Sequence, residues 1–188
     1  MVAVITINRL TGPAGTIVQT DITSINTRVN ADDSHSTGGT TNPIEIPTGA
    51  DNYSFWCTTQ LDATTAPDNL VDNIEWFTDG SNTYGTGVTC VVAQAARASY
   101  TIASGTAGVT GIVLNNTNYT GGTLTPSTPT DAFAKVTGSP LTVTGLTTTT
   151  GAFGDMVIYQ VIVGSTANPG DHPPSGSEET FTWRYDET

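Results

Sequence analysis

Positive charge is nearly missing from this chain: 5 Lys and Arg stand against 17 Asp and Glu, for a formal net charge of -12 over 188 residues. Such a field repels nucleic-acid phosphates and anionic membrane surfaces, so neither is expected as a direct partner. The acids are scattered rather than blocked, so the imbalance comes from absent cations and reads as solubility at high local concentration. Charged residues make up 12% of the chain, about half the usual share. That excludes long solvated helices and coiled coils, which are built from Glu, Lys and Arg. No run approaches the roughly 18 consecutive apolar residues of a membrane span. The apolar opening, Val2 to Ile7, has no basic residue ahead of it and no small-residue cleavage site, and reads as a first strand. The chain is therefore expected either to work without classical secretion or to lack its leader, and both fit release by another route such as cell lysis.

Histidine is limited to His35 and His172, each in a polar loop stretch, and His172 is followed by Pro173 and Pro174. A nucleophile needs a base within hydrogen-bond reach, usually histidine, so a catalytic triad has little to draw on. No G-x-S-x-G, H-E-x-x-H, phosphate loop or dinucleotide fingerprint occurs. Paired carboxylates for glycoside hydrolysis are defined by spatial separation, and the sequence nominates no pair. The expectation is a protein without catalytic residues, cofactor or metal. Hard oxygen donors do gather around one predicted strand, with Asp68, Asn69, Asp72 and Asn73 before it and Asp79 and Asn82 after it. They lack EF-hand spacing, and Asx residues serve turns equally well. His35 beside Asp32 and Asp33 reads as a solvated loop residue. Cys57 and Cys90 sit inside predicted strands, where they are either small buried hydrophobes or one disulfide. If bonded, they would tie neighbouring strands across a loop of about 33 residues and stabilise by roughly 3 to 4 kcal/mol.

What is plentiful is threonine, with Val, Ile and aromatics, punctuated by Gly, Asn, Asp and Pro. That is the composition of an all-β chain. The runs VAVITINRL and TIVQTDITSINTRV, parted by Gly12, Pro13 and Gly15, predict a hairpin or strand-exchange corner. Residues 31–43 carry no apolar side chain after Ala31 and predict a long exposed loop. Further strands are predicted at IEI, YSFWCTTQLDA, NIEWFTD, GVTCVVAQ and SYTIA. In the second of these, Tyr53, Phe55, Cys57, Thr59 and Leu61 alternate with Ser54, Trp56, Thr58, Gln60 and Asp62, the period of two that a sheet imposes. Residues 104–131 predict an excursion off the main sheet. Then come AFAKVTG, LTVTGLTTTT, the run DMVIYQVIVG and TFTWRYDE. Met156 to Val163 is apolar on both parities and predicts a central strand buried on both sides. The last strand places Phe181, Trp183 and Tyr185 on one face and should pair near a sheet end. AQAARAS, at 93–99, is the only plausible helical turn. The sum is one β-sandwich domain over 1–188, jelly-roll-like, of nine or ten strands with long loops and an N-terminal arm at 1–30.

Trp56, opposite in parity to Tyr53 and Phe55, together with Trp76 or Tyr84 near a turn, is a candidate aromatic contact surface on which a pyranose would stack; packing within the sandwich is the competing reading. The sequons at Asn52, Asn115 and Asn118 are what chance supplies in so threonine-rich a chain.

The segment PDNLVDNIEWFTDGSNTYGTGVT, residues 67–89, resembles small β-sandwich structural proteins of tailed-phage virions. There an aromatic-rich strand, here YSFWCTTQLD, leads to N-I-x-W/F-x-x-D-G and a G-T-G turn. The ending ETFTWRYDE is similar to the closing strand of that group. The resemblance spans about 50–94 and 178–187; Cys57, Cys90 and the Thr-rich 120–150 region are not part of the pattern. It implies a head decoration or minor capsid protein located in the virion, bound to the major capsid protein or other virion proteins, homo-oligomeric, with no catalytic residues. An acidic, lysine-poor chain without reactive groups suits a repeated surface element whose function is its packing. The contacts are expected from the N-terminal strand, the 31–43 loop or the 104–131 excursion. The alternatives are an extracellular carbohydrate-binding or adhesive module, and a filament subunit joined by donated strands.

Overall fold

The structure is a computed structural model and describes residues 2–37, 41–170 and 177–188. Its strands, in chain order, are β1 (Val4–Thr11), β2 (Val18–Asp21), β3 (Asn52–Tyr53), β4 (Cys57–Thr65), β5 (Val71–Phe77), β6 (Val88–Ala95), β7 (Gly105–Thr106), β8 (Thr110–Gly111), β9 (Thr125–Asp131), β10 (Leu141–Thr142), β11 (Gly151–Val163) and β12 (Thr182–Glu187). The count exceeds nine or ten because β3, β7, β8 and β10 are two-residue ladders. A seven-stranded sheet runs β2-β1-β4-β11-β6-β9, with β3 also on β11; a second sheet runs β10-β5-β12. All ladders in both are antiparallel. The fold is an all-β, sandwich-like arrangement, as its composition requires.

The run from Met156 to Val163 does lie at the centre of the large sheet, between β4 and β6. Its two parities feed two cores. Phe153, Val157, Tyr159, Val161 and Val163 meet Ile74 and Trp76 of β5 and Leu141 of β10, the filling between the two sheets. Met156 and Ile158 face the other way, into a second core with Trp56, Ala93, Ala95, Tyr100, Leu114, Tyr119 and Leu124.

No long strand among the described residues covers that second face. Its cover is the segment from about 97 to 124, coil apart from one 3-10 turn and the two-residue β7–β8 ladder, and pinned by side-chain amides. Gln160 is fully buried, and its Nε2 donates to the carbonyls of Ser54 at 2.7 Å and Ile112 at 2.9 Å while its Oε1 accepts from Leu114 N at 2.7 Å. Gln60 Nε2 donates to Gly154 O at 2.6 Å, and its Oε1 accepts from the Arg97 guanidinium. On the opposite face Gln94 clasps Thr142 O at 2.8 Å and Thr144 N at 3.1 Å. Buried amides are tolerated here because both ends are satisfied.

Several expectations change. The 104–131 segment is not an excursion off the main sheet: Leu114, Tyr119 and Leu124 are buried in the second core, and Thr125–Asp131 is strand β9 of the large sheet, on β6. IEI and SYTIA form no strand. AFAKVTG opens with a 3-10 turn at Ala132–Ala134, because Asp131 accepts from Phe133 N at 3.0 Å and caps it. The 31–43 loop is not wholly exposed: Ala31 is buried, and Asp33 Oδ2 accepts from Gly12 N at 2.7 Å. The β1–β2 hairpin and the edge position of β12 are as expected, and AQAARAS holds a single 3-10 turn at Arg97–Ser99.

Candidate functional site

The aromatic surface expected from Trp56, Trp76 and Tyr84 is not assembled as one exposed platform. Trp56 points into the second core, where its ring lies 5.5 Å from that of Tyr119 and its Nε1 donates to Ile112 O at 3.0 Å. Trp76 and Tyr84 lie across the large sheet from it, in the inter-sheet core. All three are at most 6% exposed, too little for a sugar ring to stack on. The physical reason is the 97–124 cover, which closes over the face that Trp56 occupies; the expected alternation also breaks here, because residues 54–56 form no strand and Phe55 lies in the same core as Trp56.

Cys57 and Cys90 do share a core, but as free thiols. Cys57 pairs with Tyr159 and Cys90 with Val161, on opposite edges of β11. One whole strand lies between them, so at about 4.8 Å per strand step their Cα atoms stand roughly 10 Å apart. A disulfide requires about 4.4 to 6.8 Å. The disulfide reading fails because the strands are not neighbours. Burial pushes both thiols above their ordinary range, and the Arg9 guanidinium only partly offsets this at Cys57.

Asn73, Asp79 and Asn82, three of the six residues singled out around β5, serve local structure. Asp79 Oδ1 accepts from Ser81 N at 2.8 Å, and Asn82 Oδ1 accepts from Tyr84 N at 3.0 Å while its Nδ2 donates to Val88 O at 2.8 Å. Asn73, with φ of 48°, donates to Asp186 Oδ2 at 2.9 Å. Among the described residues no group of three or more His, Cys, Asp and Glu is placed to hold a metal ion. His172 lies outside the described residues. His35 is not merely solvated, since its Nδ1 stands 3.1 Å from Thr27 Oγ1.

What sequence reasoning missed is a cleft. Between the sheets, on the β1 side, lies a cavity of about 830 Å³. Its walls include Trp76, Tyr159, Phe181 and Trp183, with Thr59 and Val161 from the large sheet, and its mouth carries the exposed Ile25 and Ile46. Tyr159 and Phe181 meet edge-on at 4.7 Å, and Phe181 lies 5.1 Å from Trp76. Burial raises the Tyr159 phenol well above its ordinary range, so it stays neutral. The only advance signal was the shared parity of Phe181, Trp183 and Tyr185. The lining is mixed: beside the aromatic rings it carries Ser24, Arg28, Glu178 and Glu179.

Parts of the stretches 67–89 and 178–187 come together in space. β5 and β12 pair antiparallel with Trp76 opposite Trp183 and Glu75 opposite Arg184. Arg184 forms an ion pair with Glu75 at 2.5 Å and lies 5.2 Å over the Phe77 ring. Comparison with known proteins finds no matching family model, no matching curated protein and no matching solved structure, so the site is read from its own residues.

Proposed function

We propose that this chain is a virion structural protein, a capsid decoration or minor capsid protein that stabilises a shell through subunit contacts and works as a homo-oligomer or lattice-bound copy. The observation that carries this reading is the pairing of β5, from the 67–89 stretch, with β12, from 178–187, in the small sheet, with Trp76 facing Trp183 across the ladder. Segments remote in sequence that resemble one group act as one structural unit. The reading is also supported by where the polar chemistry goes: buried amides clasp backbone, Asx side chains close turns, and both thiols are sealed in the core. The contact surface is assigned to the β1–β2 end of the large sheet, where Val2, Val4 and Val18 are each more than half exposed. Each contact contributes a modest amount, and the lattice multiplies it.

The test is peptide mass spectrometry across a density gradient of particles, scaled to the major capsid protein. Peptides that follow the particle band at tens to hundreds of copies support the reading. Peptides confined to the soluble fraction refute it. A second reading, a carbohydrate-binding module, is favoured by one observation, the aromatic-walled cleft. It expects Trp fluorescence to change on titration with oligosaccharides, and a flat response over a broad panel removes it.

A further inference from the structure

Arg9 on β1 is 1% exposed, yet it carries a charge that must be held by acceptors. Its Nη1 donates to Thr27 Oγ1 at 2.7 Å and to the Arg28 carbonyl at 2.5 Å. A guanidinium has no lone pair to offer, so Thr27 Oγ1 is the acceptor in the first bond and keeps its own hydrogen. The atom in reach of that hydrogen is His35 Nδ1, at 3.1 Å. With that hydrogen aimed at Nδ1 the chain runs from Arg9 to Thr27 to His35, and the imidazole accepts at Nδ1 and carries its proton at Nε2.

We propose that Thr27 and His35 form a proton-sensitive latch that holds the 31–37 segment against β1 only while the imidazole is neutral. Protonation at Nδ1 removes the acceptor and sets a second cation beside buried Arg9. Among the other charged groups nearby, Asp33 on the same segment accepts from Gly12 N and lies in the field of Arg9, and Asp32 accepts from Asn42 Nδ2 at 3.0 Å, while Arg28 lies on the preceding coil. Burial and the field of Arg9 both depress the His35 titration below its ordinary 6.5. The unfolded segment then takes up its proton first, so the latch is complete above about pH 6.5 and is lost as pH falls below it. Asp33 works in the opposite sense and in a more acidic window: burial raises its carboxyl, so its protonation relieves a cost. What opens with the latch is the bond from Arg28 N to Ser36 O, 2.8 Å long, that closes the segment.

The experiment is long-range proton–nitrogen NMR of the uniformly labelled full chain against pH, with His172→Asn to assign the two imidazoles. Expected are a neutral His35 with Nδ1 bare, a midpoint below 6.5, and loss of Arg28 amide protection, relative to its intrinsic exchange, through that midpoint. Thr27→Val should abolish the tautomer preference, and Thr27→Ser should restore it. A proton on Nδ1 at neutral pH, a midpoint at or above 6.5, or Arg28 protection that stays flat through the titration each overturns the latch. The wild-type chain alone supplies those three readings, so the latch stands or falls on them even where a variant fails to fold.

Discussion

Gln160 shows how much one side chain decides. It sits at the centre of the most apolar run in the chain, fully buried, and closes three bonds to backbone groups 46 to 106 residues away. Removing it strands the buried Leu114 N–H and deprives the Ser54 carbonyl of its amide partner, each at a cost of about 1 to 3 kcal/mol when unpaired, while Ile112 O keeps its bond from Trp56 Nε1. Gln160→Leu, although better matched to its apolar neighbours, should therefore destabilise by about 3 kcal/mol or more, read as a lower urea midpoint. A neutral result would mean that water replaces the amide. The two thiols make a complementary case. Sealed on either side of β11 and pushed towards the neutral form by burial, Cys57 and Cys90 should ignore a thiol reagent in the native protein. Both should react once denaturant unfolds it, and an intact mass under non-reducing conditions should show no bridge. Reaction of either thiol in the native state would contradict the packing.

Elements differ in how far their own residues announce them. β11 was legible because a strand buried on both faces must be apolar at both parities, and β12 because Phe181, Trp183 and Tyr185 recur every second residue. The cover at 97–124 was not legible, since Leu114, Tyr119 and Leu124 recur every five residues, which is neither a strand nor a helix period, and the glutamine that holds Leu114 lies elsewhere in the chain. A polar Gln160 inside DMVIYQVIV was the available signal, because a buried amide demands partners beyond its own strand. The cleft was hidden for a similar reason: its walls come from β4, β5, β11 and β12, and only topology brings them together. Pattern also misled at IEI and SYTIA, where an apolar alternation too short to pair became coil. A closer constraint fixes how the small sheet meets the large one. At Gly145, with φ of 134°, an added Cβ would stand 2.4 Å from Gly154 Cα in the irregular stretch of β11, and Asp155 N donates to Thr144 O beside it at 2.7 Å. Gly145→Ala should cost about 3 kcal/mol through overpacking and a strained backbone together. Gly151→Ala has an unfavourable φ of 114° but open space around its Cβ, and is expected to cost less. Equal losses in thermal unfolding would show that backbone strain alone, rather than contact between the two glycines, sets the penalty.

Across the whole molecule, neutrality of the buried phenols and excess surface charge meet in a single pH response. Five of the six tyrosines, Tyr84, Tyr100, Tyr119, Tyr159 and Tyr185, are raised above their ordinary 10.0, in each case chiefly by burial. An acid whose folded value is raised stabilises the fold below its unfolded value and loses that contribution as pH climbs past it. Unfolded phenols ionise near 10, so the folded state is disfavoured progressively above that pH. Each phenolate released adds to a chain already at -12 with 5 compensating cations, and self-repulsion drives the transition in the same direction. The expected result is cooperative: phenolate absorbance and loss of near-ultraviolet circular dichroism should rise together above pH 10. Added salt should move that step to higher pH by screening the repulsion. Independent, gradual ionisation of the tyrosines with the dichroism intact would show that the two cores admit water and charge, and would undo the picture of a sheet sealed on both faces.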